Sequence, residues 1–176
     1  FNGDISKWDV SRVTDMNGMF TNAQLFRGDI SKWDVSHVND MNGMFANALA
    51  FNGDLSKWDV SRVKNMRRMF LGATSFNGDL SKWDVSRVND MHSMFLGATV
   101  FKRELCTAAW VHSKARKRLM FQGTSGSILG KVCTASFKSA TTQAVSRYVP
   151  RRTIPERELI VDTTIVFSSI LSTRTC

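Results

Sequence analysis

The sequence predicts an α/β fold: a right-handed solenoid of short parallel strands and short helices, followed by an irregular C-terminal tail. Three observations carry this expectation. Four blocks of 25 residues start at Phe1, Phe26, Phe51 and Phe76, and each reads F-x-G-D-I/L-S-K-W-D-V-S-x-V-x-x-M-x-x-M-F-x-x-A. No insertion interrupts them, and the blocks at 51–75 and 76–100 differ at only five positions. A unit this short cannot bury its own apolar face, so each must cover its neighbour in a stack.

The elements of one block follow in order. Asn2-Gly3 marks a turn. Lys7-Trp8-Asp9-Val10 alternates polar and apolar residues, as a half-buried strand does. Ile5-x-x-Trp8-x-Val10 has the L-x-x-L-x-L spacing of a leucine-rich repeat, which makes the expected solenoid leucine-rich-repeat-like. Ser11 stands where a helix N-cap belongs. Val13, Met16, Met19-Phe20 and Ala23 follow at steps of three and four, the apolar stripe of a helix of about ten residues. The ladders Phe1/26/51/76/101, Trp8/33/58/83, Val10/35/60/85, Met16/41/66/91, Met19/44/69/94 and Phe20/45/70/95 are expected to face inward. A fifth, decayed block starts at Phe101 and keeps Leu105, Trp110 and Met120-Phe121. The expected domains are therefore a repeat solenoid over 1–125 and a basic, Ser/Thr-rich tail or cap over 126–176. The tail has one candidate strand near 158–167.

Composition sorts the function classes. The 176 residues are 43% hydrophobic and 22% charged, which is ordinary globular usage. The apolar-rich run Leu159–Leu171 is too short and too polar for a membrane span, which needs about 20 residues. Residues 1–100 hold 11 Lys+Arg and 11 Asp, so the formal charge of +9 resides entirely in residues 101–176. The chain opens at Phe1, inside a repeat, and reads as a fragment in which no signal peptide is visible.

Several ladders invite a chemical reading, and each has a simpler one. The methionines fit core packing better than metal or cofactor binding, because their spacing is that of a buried stripe. The Trp ladder fits burial better than a sugar-stacking platform. The aspartates lack the dense oxygen loop of a calcium site. They are expected instead to cap turns at Asp4 and to pair with the Lys ladder at Asp9. The three cysteines have no zinc spacing, and the three histidines are scattered, so no metal and no cofactor is expected. Cys106 and Cys133 either form a disulfide stapling the cap to the tail, as an oxidising compartment permits, or remain free thiols.

Variation between blocks falls outside the strand face. Lys7, Asp9, Lys32, Asp34, Lys57, Asp59, Lys82 and Asp84 recur unchanged and form the candidate binding face. A uniform face suits a repetitive polymer or a protein partner. The basic clusters, Lys102-Arg103 with Lys114, Arg116, Lys117 and Arg118, then Arg147, Arg151 and Arg152, carry no nucleic-acid module. Specific nucleic-acid binding is not expected. A hydrolase needs an acid and a base paired in a cleft, whereas these aspartates are copied at every rung.

The core W-D-V-S-x-V-x-x-M-x-x-M-F-x-x-A-x-x-F-N-x-D-I/L-S resembles the BspA-like leucine-rich-repeat family of surface proteins, across residues 1–100 and weakly to 125. The resemblance implies a solenoid, a cell-surface or extracellular setting, and binding or adhesion without enzyme activity. It also implies a closing repeat of the form F-N-x-x-L-C-x-W. Phe101, Leu105, Cys106 and Trp110 partly match it, with the Trp displaced by two residues. The expected function is a non-enzymatic scaffold binding a protein or polysaccharide partner. The alternative is a purely structural spacer within a larger surface protein.

Overall fold

Each repeat begins with two copies of one five-residue phrase, Asp-apolar-Ser-x-apolar: Asp4-Ile5-Ser6-Lys7-Trp8 and Asp9-Val10-Ser11-Arg12-Val13. A computed structural model describes residues 1–133. It shows what the phrase does. The Asp4 carboxylate accepts the Ser6 N–H at 3.0 Å, and the Trp8 N–H closes on the Ile5 carbonyl at 3.1 Å. The second copy repeats this with Ser11 on Asp9 and Val13 on Val10. An Asp that accepts the N–H two residues on is a standard turn device. Lys7–Val10 therefore does not form the expected strand. Its Trp8 N–H closes the first of two consecutive tight turns, and its Val10 carbonyl closes the second.

The expected helix at 13–23 is not formed either. Alternate amides of this stretch reach the next repeat: Met16 to the Asp40 carbonyl, Gly18 to Asn42, Phe20 to Met44 and Asn22 to Ala46, all at 2.7–2.9 Å. The amides between them close turns on Met16, Gly18 and Phe20, while Asn17 donates to the Asp15 carboxylate. Every N–H from Met16 to Ala23 is thus satisfied without one helical bond. Turns closed by an i+3 to i bond place apolar residues three apart, as a helix stripe does. The two are separated by the backbone: Gly18 and Asn22 have φ of +66° and +60°, which a right-handed helix forbids.

The repeats lie against one another in parallel, through bridges Asp15↔Asp40, Asp40↔Asn65, Asn65↔Asp90 and Asp90↔Arg116. Regular elements occur only near the end of the described residues. They are β1 (Glu104–Leu105), α1 (Ala108–Val111) and β2 (Ser127–Ile128), with β1 and β2 paired in parallel. The described residues belong to one compact unit, Phe1–Ala135, which extends past the boundary at 125 expected from the repeat pattern. The candidate strand near 158–167, Arg147, Arg151, Arg152, Cys176 and most of the expected tail lie outside the described residues.

Two columns of phenylalanine rings run through the core. Phe26, Phe51, Phe76 and Phe101 stack in one column at 5.7–6.1 Å between centroids. Phe20, Phe45, Phe70, Phe95 and Phe121 stack in the other at 5.4–5.5 Å. The columns meet where one repeat passes into the next, as at Phe70–Phe76 with 3.9 Å. Each glycine two residues after the first-column Phe is needed for contact rather than conformation. A Cβ on Gly53 would come within 2.9 Å of the Phe51 ring.

Tryptophan locks one coil to the one before it. The Trp33, Trp58 and Trp83 indole N–H groups donate to the carbonyls of Ile5, Ile30 and Leu55 at 2.9–3.1 Å. In the fifth coil the Trp arrives two residues late. The single turn of α1 absorbs the excess, and Trp110 Nε1 still reaches the Leu80 carbonyl at 3.0 Å.

Candidate interaction surface

Two exposed rows run along the turn side of the stack. Lys7, Asp9, Lys32, Asp34, Lys57, Asp59, Lys82 and Asp84 are all solvent-exposed. The structure does not, however, pair Asp9 with the Lys7 ladder. The Asp9 carboxylate accepts both the hydroxyl and the N–H of Ser11, at 2.6 and 3.0 Å. These bonds hold its pKa below the ordinary value, with Arg12 as a weaker influence. Asp34, Asp59 and Asp84 are lowered in the same way by Ser36, Ser61 and Ser86.

The lysines accompany the other acidic row. The Ser31, Ser56 and Ser81 N–H groups lower Asp29, Asp54 and Asp79, and Lys32, Lys57 and Lys82 add to the effect. The surface is therefore an Asp4/Lys7 row beside an Asp9/Arg12 row, each spaced as Asp-x-x-basic. The sequence signal was the doubled five-residue phrase. It puts Arg12, His37, Arg62 and Arg87 into the second row, which the alternation of a strand had obscured. Neighbouring aspartates of a row do repel, as Asp34 raises Asp59. The serine bonds outweigh that repulsion, because hydrogen bonding to the charged form favours it.

Cys106 and Cys133 are brought together as a disulfide with Cα atoms 5.3 Å apart. The Cys133 N–H also donates to the Cys106 carbonyl at 2.9 Å. Beside α1 lies an open recess of about 550 Å³, lined by Ser86, Ala108, Ala109, His112, Ser113 and Lys114, with no carboxylate in its lining. Among the described residues no group of three or more His, Cys, Asp or Glu is placed to hold a metal ion. No helix of the described residues is long and apolar enough to cross a membrane.

The repeats that build this surface match a known family model, described as Mycoplasma protein of unknown function, DUF285, over residues 1–110. That span is more than half of the 176 residues. The chain belongs to the DUF285 family. The DUF285 match ends at Trp110, the last indole that ties a coil to its predecessor. No curated protein and no solved structure matches the chain.

Proposed function

We propose that this DUF285 chain is a non-enzymatic scaffold, a leucine-rich-repeat-like solenoid of BspA-like type, that binds a polymer or protein partner at a cell surface. The observation that carries the reading is the pair of exposed Asp-x-x-basic rows, repeated in each of the four 25-residue blocks by side chains the core does not use. Parallel bridges between repeats support the solenoid, and the Cys106–Cys133 disulfide supports an oxidising, extracellular setting. A repeated row meets a repeating partner at several equivalent points, so weak contacts add.

The test is binding of the full chain to glycan and protein arrays, beside a variant with Lys7, Lys32, Lys57 and Lys82 all changed to Gln. The scaffold reading expects binding by the native chain and its loss in the variant. The second reading, a structural spacer, is favoured by one fact: the aspartates already close their own turns. It expects no retention of either chain, and binding that the variant leaves intact would place the contact elsewhere.

A further inference from the structure

One edge of the stack changes character halfway along it. The first two repeats carry Thr14, Asp15, Asn17 and Gly18, then Asn39, Asp40, Asn42 and Gly43, with no cation among them. At the same positions the next three carry Lys64, Arg67, Arg68, His92, Arg116 and Arg118. Blocks 51–75 and 76–100 differ at five positions, and four of these, 64/89, 65/90, 67/92 and 68/93, lie on this edge.

The backbone puts these groups on consecutive rungs. Gly43 N–H donates to the Arg67 carbonyl, Arg68 N–H to His92, and Ser93 N–H to Arg118, at 2.8–3.0 Å. Asn17, Asn42, Arg67, His92 and Arg118 thus form one column. Adjacent rungs of a parallel ladder stand about 4.8 Å apart. At the neutral end the column supports itself, with Asn42 Nδ2 donating to Asn17 Oδ1 at 3.2 Å. At the basic end, Arg67 and Arg118 are exposed and His92 is half-buried between them. The edge there contains one carboxylate, Asp90, and an oxygen of it is occupied by the His92 N–H at 2.8 Å. Lys64, Arg67, Arg68, Arg116 and Arg118 gather positive charge along this edge against that single carboxylate, and an anion laid along the column would neutralise it.

We propose that this basic edge binds a linear anionic polysaccharide, carrying sulfate or carboxylate groups, along the Arg67–His92–Arg118 column. Guanidinium groups suit such oxyanions because their donors form a planar fork. A single-stranded nucleic acid would need aromatic platforms for its bases. The exposed large aromatics of the described residues, Phe1 and Trp8, belong to the first coil. The site uses none of the Asp4/Lys7 or Asp9/Arg12 residues and stands independently of the preceding reading.

Heparin is the probe, titrated against the full chain at several salt concentrations. The test variant is Arg67→Asn with Arg118→Asn, which installs the residue that coils 1 and 2 already hold there. The control, Arg27→Asn with Lys131→Gln, removes two charges elsewhere. The expected result is a Kd raised about tenfold in the test variant and a salt slope smaller by about two, with the control unchanged. Equal weakening in both variants would overturn the proposal, since net charge alone would then act. So would an absence of heparin binding, or binding insensitive to the test variant. Tighter binding of poly(U) or of phosphatidylserine vesicles, lost in the same variant, would overturn it in favour of a nucleic-acid or lipid partner.

Discussion

Residues 6–13 and 56–63 are the same octapeptide, Ser-Lys-Trp-Asp-Val-Ser-Arg-Val, yet their tryptophans differ completely. Trp58 is 4% exposed and Trp8 is 55% exposed. Both form the same turns, and both follow an Asp that accepts a serine N–H. The difference is the preceding coil. Trp58 reaches back to the Ile30 carbonyl, whereas among the described residues Trp8 makes no equivalent bond. Local structure in this chain comes from the pentapeptide, and burial comes from the neighbour.

The largest effect should separate these two sites most sharply. Trp58→Ala should cost about 3–5 kcal/mol, because it empties a packed site and orphans a carbonyl contact. Trp8→Ala should cost under about 1 kcal/mol, because an exposed ring has little to lose. Urea unfolding of both variants checks this, and equal losses would break the comparison. Removing the other end's constraint is next. Cys106→Ser should cost about 2–4 kcal/mol by freeing the loop that the bridge closes. Its signature is faster hydrogen exchange at Ser127–Leu129, with coils 1–3 unchanged.

Backbone strain is a smaller and oppositely signed pair. Arg68 and Gly97 both have positive φ, +55° and +73°. Gly97→Ala should lose about 1–2 kcal/mol, and Arg68→Gly should recover up to about 1 kcal/mol. A Cβ on Gly97 finds its nearest neighbour at 3.8 Å, so conformation rather than collision decides the sign. Thermal unfolding of the two variants reads it.

The smallest effects concern the aspartate rows, and here the two octapeptides should agree. Asp9→Ala and Asp59→Ala should lower Tm by similar small amounts, since each removes the same local turn contact. The pH dependence follows from the same bonds. The folded pKa of each row aspartate lies below its ordinary 3.8. The folded form therefore binds fewer protons than the unfolded form as pH falls toward and through that region. The stability these groups contribute is present above about pH 4 and is lost as pH falls through the lowered folded values. A Tm that stayed flat from pH 5 down to pH 2 would contradict the serine bonds.

The repeat period and the identity of the core were legible in the sequence. Phe26, Trp33, Met41, Met44, Phe45 and their counterparts in coils 3 and 4 are all buried. The type of local structure was not. Val13, Met16, Met19 and Ala23 satisfy a helix stripe and a string of tight turns equally well. Only the positive φ of Gly18 and Asn22 and the lateral bonds to the next coil separate them. The Lys7/Asp9 alternation likewise hid the Asp-x-x-basic spacing, because a turn brings i and i+3 together while a strand aligns i and i+2. The charge split along the edge was present in the letters, but nothing in a linear string says that Arg67, His92 and Arg118 stand on adjacent rungs.

By itself, then, the sequence determined the 25-residue period and the apolar ladders. These depend on composition and on contacts a few residues long. The tertiary structure decided which copies of an identical phrase are buried, which amides look sideways rather than along the chain, and which basic residues share an edge. Those properties belong to pairs of coils, and a single coil has no partner with which to satisfy them.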